Sequence, residues 1–149
     1  MRVTDSGGLF AQTTLNVAVT LETTPPVINL SSAVIAPFPN NHRYTTIRVS
    51  QLVASVSDNC STPAVSDVVI EKVTSDEVDN APGDSDGNTT NDIVIGGDCK
   101  SVQLRAERDG NRNGRVYTIT LRLRDAAGNT DEGDEENQRA AQSKRQSGN

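Results

Sequence analysis

The densest group of possible metal ligands lies between residues 75 and 92, which read SDEVDNAPGDSDGNTTND. Carboxylate and amide oxygens on a flexible loop are the ligands that calcium prefers. The stretch is not an EF-hand, because its glycine falls two positions early and no glutamate stands at the twelfth position. A solvated acidic loop that binds no ion is the alternative interpretation. The candidate calcium ligands are Asp76, Glu77, Asp79, Asp84, Asp86, Asn88 and Asp92.

The two cysteines, Cys60 and Cys99, lie far apart in the sequence, and each stands among polar residues typical of loops. A zinc site would need more Cys or His ligands at short spacing, and the chain has one histidine. The prediction is therefore one disulfide, with two free thiols as the alternative. The chain-entropy model gives such a bond about 3 to 4 kcal/mol, and its formation implies an oxidising compartment.

No arrangement typical of catalysis is present. His42 has no second histidine and no nucleophile within a recognisable motif, and neither G-x-S-x-G nor S-x-x-K occurs. We expect the protein not to be an enzyme.

The elements that would position these residues are β-strands. Val102, Leu104 and Ala106 alternate with polar residues, and so does a second apolar set beyond a turn rich in Asp, Gly and Asn. That second set is Tyr117, Ile119, Leu121 and Leu123. Alternation of period two on both sides of such a turn predicts a central β-hairpin with one buried face.

Further strands are predicted on both sides of this hairpin, and aspartates stand at the turns between them. Asp58 and Asp125 are interpreted as residues whose carboxylates cap these turns. Only 3% of the residues are aromatic, so the core must consist of Val, Ile and Leu, which suits strands. The additional strands are predicted over Val27 to Leu30, Tyr44 to Val56 with a bulge near Gln51 and Leu52, Val65 to Thr74, and Ile93 to Ile95.

Composition excludes two classes of partner. The formal charge is -6, and no basic patch interleaved with aromatic residues is present, so nucleic acid is not an expected partner. No apolar run approaches the roughly 20 residues of a membrane span.

Several short motifs resemble those of an immunoglobulin-like repeat of secreted and surface proteins of bacteria, similar to the hyalin-repeat module. They extend from Thr24 to Asn129. The resemblance implies an antiparallel β-sandwich of about seven strands, arranged in extracellular arrays, with an adhesive or spacer role and no enzymatic activity. The motifs are TPPVI, PNNHRY, VSDNC, SDEVDN, GDSDGNTTNDIVI, LRAER, GRVYTI and D-x-x-GN.

The chain departs from this pattern at both ends. After the D-x-x-GN turn, Asp131 to Glu136 stand where the repeat has its last strand, and this acidic run predicts that the strand is missing. At the N-terminus, the stretch from Arg2 to Gly8 loosely repeats Arg122 to Gly128, and an additional apolar strand follows. The apolar residues of that predicted donor strand are Leu15, Val17, Val19 and Leu21.

Three interpretations of the N-terminal strand remain open. In the first, residues 1–21 are the end of a preceding module; in the second, they complete their own sandwich; in the third, they complete the sandwich of the next subunit. An open sandwich with an unpaired edge needs some donor. Donation to the next subunit is a head-to-tail contact that does not close into a ring. Its repetition therefore produces a filament.

These observations predict three regions: the N-terminal strand over residues 1–23, an Ig-like β-sandwich over 24–130, and an acidic, polar tail over 131–149. The predicted function is that of a structural module at the cell surface, held to copies of itself or to neighbouring repeats by strand addition. Calcium is the one cofactor considered. The alternative is an adhesive module that binds a surface protein or a glycan, and the lack of aromatic platforms disfavours the glycan.

Overall fold

The computed structural model describes residues 1–32, 35, 41–80, 88–107, 114–132 and 139–142. This described part of the chain consists mainly of β-strands in antiparallel sheets, with one short α-helix and one 3-10 turn. The strands are β1 (Arg2–Thr4), β2 (Phe10–Gln12), β3 (Val27–Leu30), β4 (Tyr44–Arg48), β5 (Val53–Ser57), β6 (Val69–Ser75), β7 (Ile93–Ile95), β8 (Ser101–Arg105), β9 (Val116–Arg124), β10 (Thr130–Glu132) and β11 (Arg139–Gln142). The helix is α1 (Val49–Leu52), and the 3-10 turn is Val65–Asp67.

Two sheets enclose the core. In one of them, β8 lies between β4 and β7; in the other, β9 pairs with β6, β10 and β11. A third pair, β3 with β5, is joined to β10 through the Ile28 N–H, which donates to Asp131 Oδ2 at 3.0 Å. The buried residues form one apolar cluster: Ile47, Val49, Val53, Val68, Ile70, Val102, Leu104, Tyr117, Ile119, Leu121 and Leu123. The fold is therefore the all-β, sandwich-like architecture predicted from the sequence.

The prediction of a central hairpin is wrong in its pairing. Both strands form, but β8 and β9 belong to different sheets and contribute to the core from opposite sides. Alternation shows that each strand has one buried face. It does not distinguish two strands that are paired in one sheet from two strands that pack across a sandwich.

The long strand predicted from Tyr44 to Val56 is also divided. Its break lies at α1, which contains the Gln51 and Leu52 positions where the sequence alternation slips. The helical turn begins where Gln51 Oε1 accepts the Arg48 N–H at 2.8 Å. The chain crosses at this turn from the sheet of β4 to the pair formed by β3 and β5.

The prediction that the module lacks its last strand is wrong. After the turn at Asp125, β10 pairs with the end of β9, and β11 pairs with its beginning. Ladder hydrogen bonds join backbone groups, so an acidic sequence can still pair when its side chains reach solvent. Residues 133–138 lie outside the described residues.

The N-terminal hairpin repeats the hairpin formed by β9 and β10. In the first, Arg2 is paired with Gln12 and Thr4 with Phe10; in the second, the same pairings recur at residue numbers larger by 120. In both turns, an aspartate Oδ1 accepts two backbone N–H groups, from Gly7 and Leu9 at Asp5 and from Gly128 and Asn129 at Asp125. Residues 1–12 thus have the geometry of a second copy of this turn.

Gly128 provides a test of the turn that follows β9. Its φ of +99° lies in the left-handed region, and an added Cβ would lie 3.0 Å from Arg124 Nη2. We expect Gly128→Ala to lower the free energy of unfolding by about 1 to 2 kcal/mol, measured by urea denaturation.

Gly97→Ala is the matched control, because that glycine has no left-handed φ and its Cβ would have open space around it. We expect the control to change stability by less than about 0.5 kcal/mol. Equal effects of the two substitutions would contradict the strain that we assign to Gly128.

Candidate functional site

The predicted donor strand is not paired within the described part of the chain. Residues 13–26 follow the N-terminal hairpin without regular secondary structure. The apolar side chains of this segment are exposed by 84% at Leu15, 74% at Val17, 90% at Val19 and 83% at Leu21. Solvated side chains of this kind contribute nothing to the stability of the chain, and burying each of them would contribute about 1.5 to 3 kcal/mol.

The segment ends where the chain is fixed to the sandwich. Pro26 is fully buried, and β3 begins at the next residue. Just before it, the Thr24 Oγ1 accepts a hydrogen bond of 3.2 Å from the Asn59 side chain. The consecutive Pro25 and Pro26 keep this linker extended. The apolar segment is therefore held at one end and projects from a defined point of the fold.

Four of the predicted calcium ligands, Asp76, Glu77, Asp79 and Asp92, make other contacts in the structure. Asp84 and Asp86 lie outside the described residues, and Asn88 is exposed. Asp76 Oδ1 accepts the Val116 N–H at 2.7 Å. Both oxygens of Asp79 accept backbone N–H groups, from Asn91 and from Asp92.

The remaining two members, Glu77 and Asp92, face a buried arginine, Arg115, which was not among the predicted site residues. Arg115 donates through Nε to Glu77 at 3.3 Å and through Nη1 to Asp92. Its Nη1 also lies 3.4 Å from Glu107 Oε1 and 3.2 Å from the Tyr117 hydroxyl. These five residues are buried, and we call them the buried ion cluster.

Burial and hydrogen bonding shift the pKa values within this cluster in opposite directions. Burial, together with the adjacent Asp92 carboxyl, raises the pKa of Glu107. Burial would also raise the pKa of Asp92, but hydrogen bonds that its carboxylate accepts from Glu107 and Arg115 outweigh burial and lower that pKa. Burial raises the pKa of Tyr117 to about 12. The cluster therefore favours the ionised form of Asp92 beside the guanidinium.

A cleft of about 400 Å³ opens beside the cluster, lined in part by Glu77, Asp79, Asp92 and Arg115. On the outer side of the cluster, His42 Nδ1 lies 3.3 Å from Glu107 Oε2, and Arg105 Nε donates to Asp92 at 3.2 Å. Of the charged residues that line the cleft, Glu77 and Asp92 contact Arg115, and Asp79 accepts backbone N–H groups. This arrangement joins residues at the ends of several strands.

The cysteines do not pair in this structure. Cys60 is exposed in the loop after β5, and Cys99 is half-buried in the turn between β7 and β8. Both are free thiols, so the predicted disulfide is not formed here.

Asp58 and Asp125 do cap turns, as predicted. Asp58 Oδ2 accepts N–H groups from Cys60 and Ser61, and Asp125 Oδ1 caps the turn after β9. Among the described residues, one group of acidic side chains brings three oxygens within 4.8 Å of one another, and it combines these two aspartates with Glu22.

Comparison with protein-family models, with curated proteins and with solved structures finds no match to this chain. Within the described residues, no helix has the length and apolar character needed to cross a membrane.

Proposed function

We propose that the protein is a non-enzymatic structural module of an extracellular filament or repeat array, in which the segment Thr14–Leu21 adds as a strand to a neighbouring copy or repeat. The observation that carries this proposal is the row of exposed, alternating apolar side chains in that segment. Strand addition supplies backbone partners along the ladder and pockets for alternate side chains. The resemblance to bacterial hyalin-type repeats and the surface location are parts of the same proposal.

The repeated hairpin supports a definite acceptor position. Adding 120 to the numbers of β1 and β2 gives the end of β9 and β10, so the same offset matches residues 13–21 to residues 133–141. The chain pairs β11, Arg139–Gln142, with β9 within this stretch. The donated segment would therefore lie beside β9 of the neighbour, in the place of β11.

The two sequences that compete for this position differ in their apolar content. Residues 14–21 read TLNVAVTL, whereas the matched residues 134–141 read DEENQRAA. Alternating Leu and Val suit a strand with one buried face, whereas six of the eight matched residues are charged or amide residues and the other two are alanines. Burial of four apolar side chains favours the donated segment over the polar one.

The mass of the particle in solution tests the proposal, measured by light scattering on a sizing column. We expect the full chain to form multimers that increase with concentration. Val17→Glu with Val19→Glu places two charges on the apolar side of the segment, and we expect this variant to be a monomer near 15.9 kDa.

Asn16→Glu with Thr20→Glu is the matched control, since these side chains alternate with the apolar ones and point to the opposite side of an extended strand. We expect the control to assemble like the unmodified chain. A full chain that remains monomeric at every concentration overturns the proposal, and so does equal assembly of both double variants.

A further inference from the structure

The group formed by Glu22, Asp58 and Asp125 differs from the acidic loop in its position and in its construction. Glu22 precedes the proline linker, Asp58 follows β5, and Asp125 follows β9. A carboxylate oxygen from each lies within 4.8 Å of the others. Two ligands of one calcium ion at about 2.4 Å are separated by at most about 4.8 Å, so three such oxygens can share an ion.

Hydrogen bonds hold two of these carboxylates side by side. The side-chain amide of Asn129 donates to Glu22 Oε2 at 2.6 Å and to Asp125 Oδ2 at 2.8 Å. Asp125 is only 9% exposed, and its other oxygen accepts the backbone N–H groups of the turn. The pair is thus fixed in position by the fold.

The third carboxylate provides an independent observation. Asp58 Oδ2 accepts the N–H groups of Cys60 and Ser61, whereas Asp58 Oδ1 has less than 1 Å² of accessible surface and no hydrogen-bond donor among the described residues. A buried carboxylate oxygen without a partner is costly, and a cation removes that cost.

We propose that Glu22, Asp58 and Asp125 bind one calcium ion at the junction between the N-terminal segment and the sandwich. The backbone carbonyl of Glu22 lies at the same place, 3.3 Å from the Asn129 amide, and backbone carbonyls are ordinary calcium ligands. Three carboxylates from three separate loops suit the flexible coordination of calcium better than the strict octahedron of magnesium.

Binding at this junction would fix the direction in which the apolar segment leaves the module. Glu22 directly follows the last apolar residue of that segment, Leu21. The ion would connect this point to two turns of the sandwich. The calcium site does not depend on the proposed function, whereas this effect on the segment does.

Calorimetric titration of the chelator-treated full chain with calcium chloride tests the site. We expect one ion per chain, with a dissociation constant of about 10⁻⁴ to 10⁻³ M, the range of extracellular modules. Asp58→Asn and Asp125→Asn keep an oxygen that can accept the turn N–H groups but lose the charge. We expect each to weaken binding by at least about tenfold.

Asp5→Asn is the matched control, because Asp5 caps the equivalent N-terminal turn and is not a member of the group. We expect it to bind calcium like the unmodified chain, and circular dichroism checks that each variant is folded. Absence of calcium binding by the full chain overturns the proposal. Unchanged binding by folded Asp58→Asn and Asp125→Asn also overturns it, since the ion would then bind at other carboxylates.

The variant Val17→Glu with Val19→Glu separates this result from the proposed function. It alters the apolar segment and leaves all three carboxylates in place. We expect it to bind calcium with the same dissociation constant as the full chain. Calcium binding without assembly would reject the proposed function alone, and assembly without calcium binding would reject the site alone.

Discussion

Replacing Arg115 with methionine is expected to lower the free energy of unfolding by about 3 to 5 kcal/mol. Methionine fills much of the same volume, but it leaves Glu77, Asp92 and Glu107 buried together without the guanidinium that they contact. Breaking a buried charge cluster by removing one partner costs far more than the intact cluster contributes, because the remaining charge stays out of water. Urea denaturation at neutral pH, followed by far-ultraviolet circular dichroism, measures the loss.

Arg122→Met is the matched control for this change. Arg122 lies in β9, close in sequence to Arg115, and pairs with Glu71 at 3.6 Å, with side chains that are 49% and 41% exposed. Exposed pairs of this kind contribute less than about 1 kcal/mol. Similar losses in the two variants would contradict the role that we assign to the buried ion cluster.

Part of this cluster follows from the sequence pattern, although it was not predicted. Arg115 stands two residues before Tyr117, and the buried side chains of β9 continue at every second residue to Leu123. By this alternation Arg115 lies on the buried face of the strand. A charged residue on that face indicates a buried partner. The pattern could have located the arginine.

The carboxylates of the cluster could not be found in the same way. Glu107 is buried, although alternation along β8 would place it on the less buried side with Gln103. The reason is that the strand ends at Arg105 and the chain turns there. A hydrogen bond from the Glu107 N–H to the Arg105 carbonyl marks that turn. Which side chains meet at a strand end depends on the path of the loops, which periodicity does not describe.

The difference between local sequence pattern and long-range packing also explains how much of the fold could be predicted. The positions of β3 and β7 and the sandwich-like class follow from local alternation and composition. The assignment of β8 and β9 to different sheets does not, because each strand carries the same one-sided pattern in either arrangement. β10 was missed for a related reason: the prediction used the apolar content of Asp131 and its neighbours, whereas edge pairing depends on backbone hydrogen bonds.

The group of Glu22, Asp58 and Asp125 was accessible from the sequence only in part. The two aspartates were interpreted correctly as turn caps, and a cap commits one oxygen while the other remains available for a further partner. The two turns are 67 residues apart in the sequence, and nothing in that spacing indicates that they lie at the same end of the fold. Nor does it indicate that both turns lie close to Glu22. Only the packing of the sheets brings them together.

Tyr117→Phe is expected to change the dependence of stability on alkaline pH. The tyrosine hydroxyl donates to the Arg105 carbonyl at 2.9 Å and accepts from Arg115, so its removal should cost about 1 to 3 kcal/mol at pH 7. In the folded chain the pKa of Tyr117 is raised to about 12, from 10.0 in the unfolded chain. Between these values the unfolded state releases the proton and the folded state keeps it, so stability falls as the pH rises.

That fall should reach about 2 kcal/mol near pH 12, and it should be missing from the phenylalanine variant. Urea denaturation of both proteins between pH 9 and pH 11.5 measures their free energies of unfolding. The difference between the two free energies should decrease as the pH rises. Subtracting them removes the titration of lysines and of other groups that the two proteins share. A constant difference across this range would show that Tyr117 ionises as readily in the folded chain as in the unfolded one, and it would contradict a hydroxyl kept neutral by burial within the cluster.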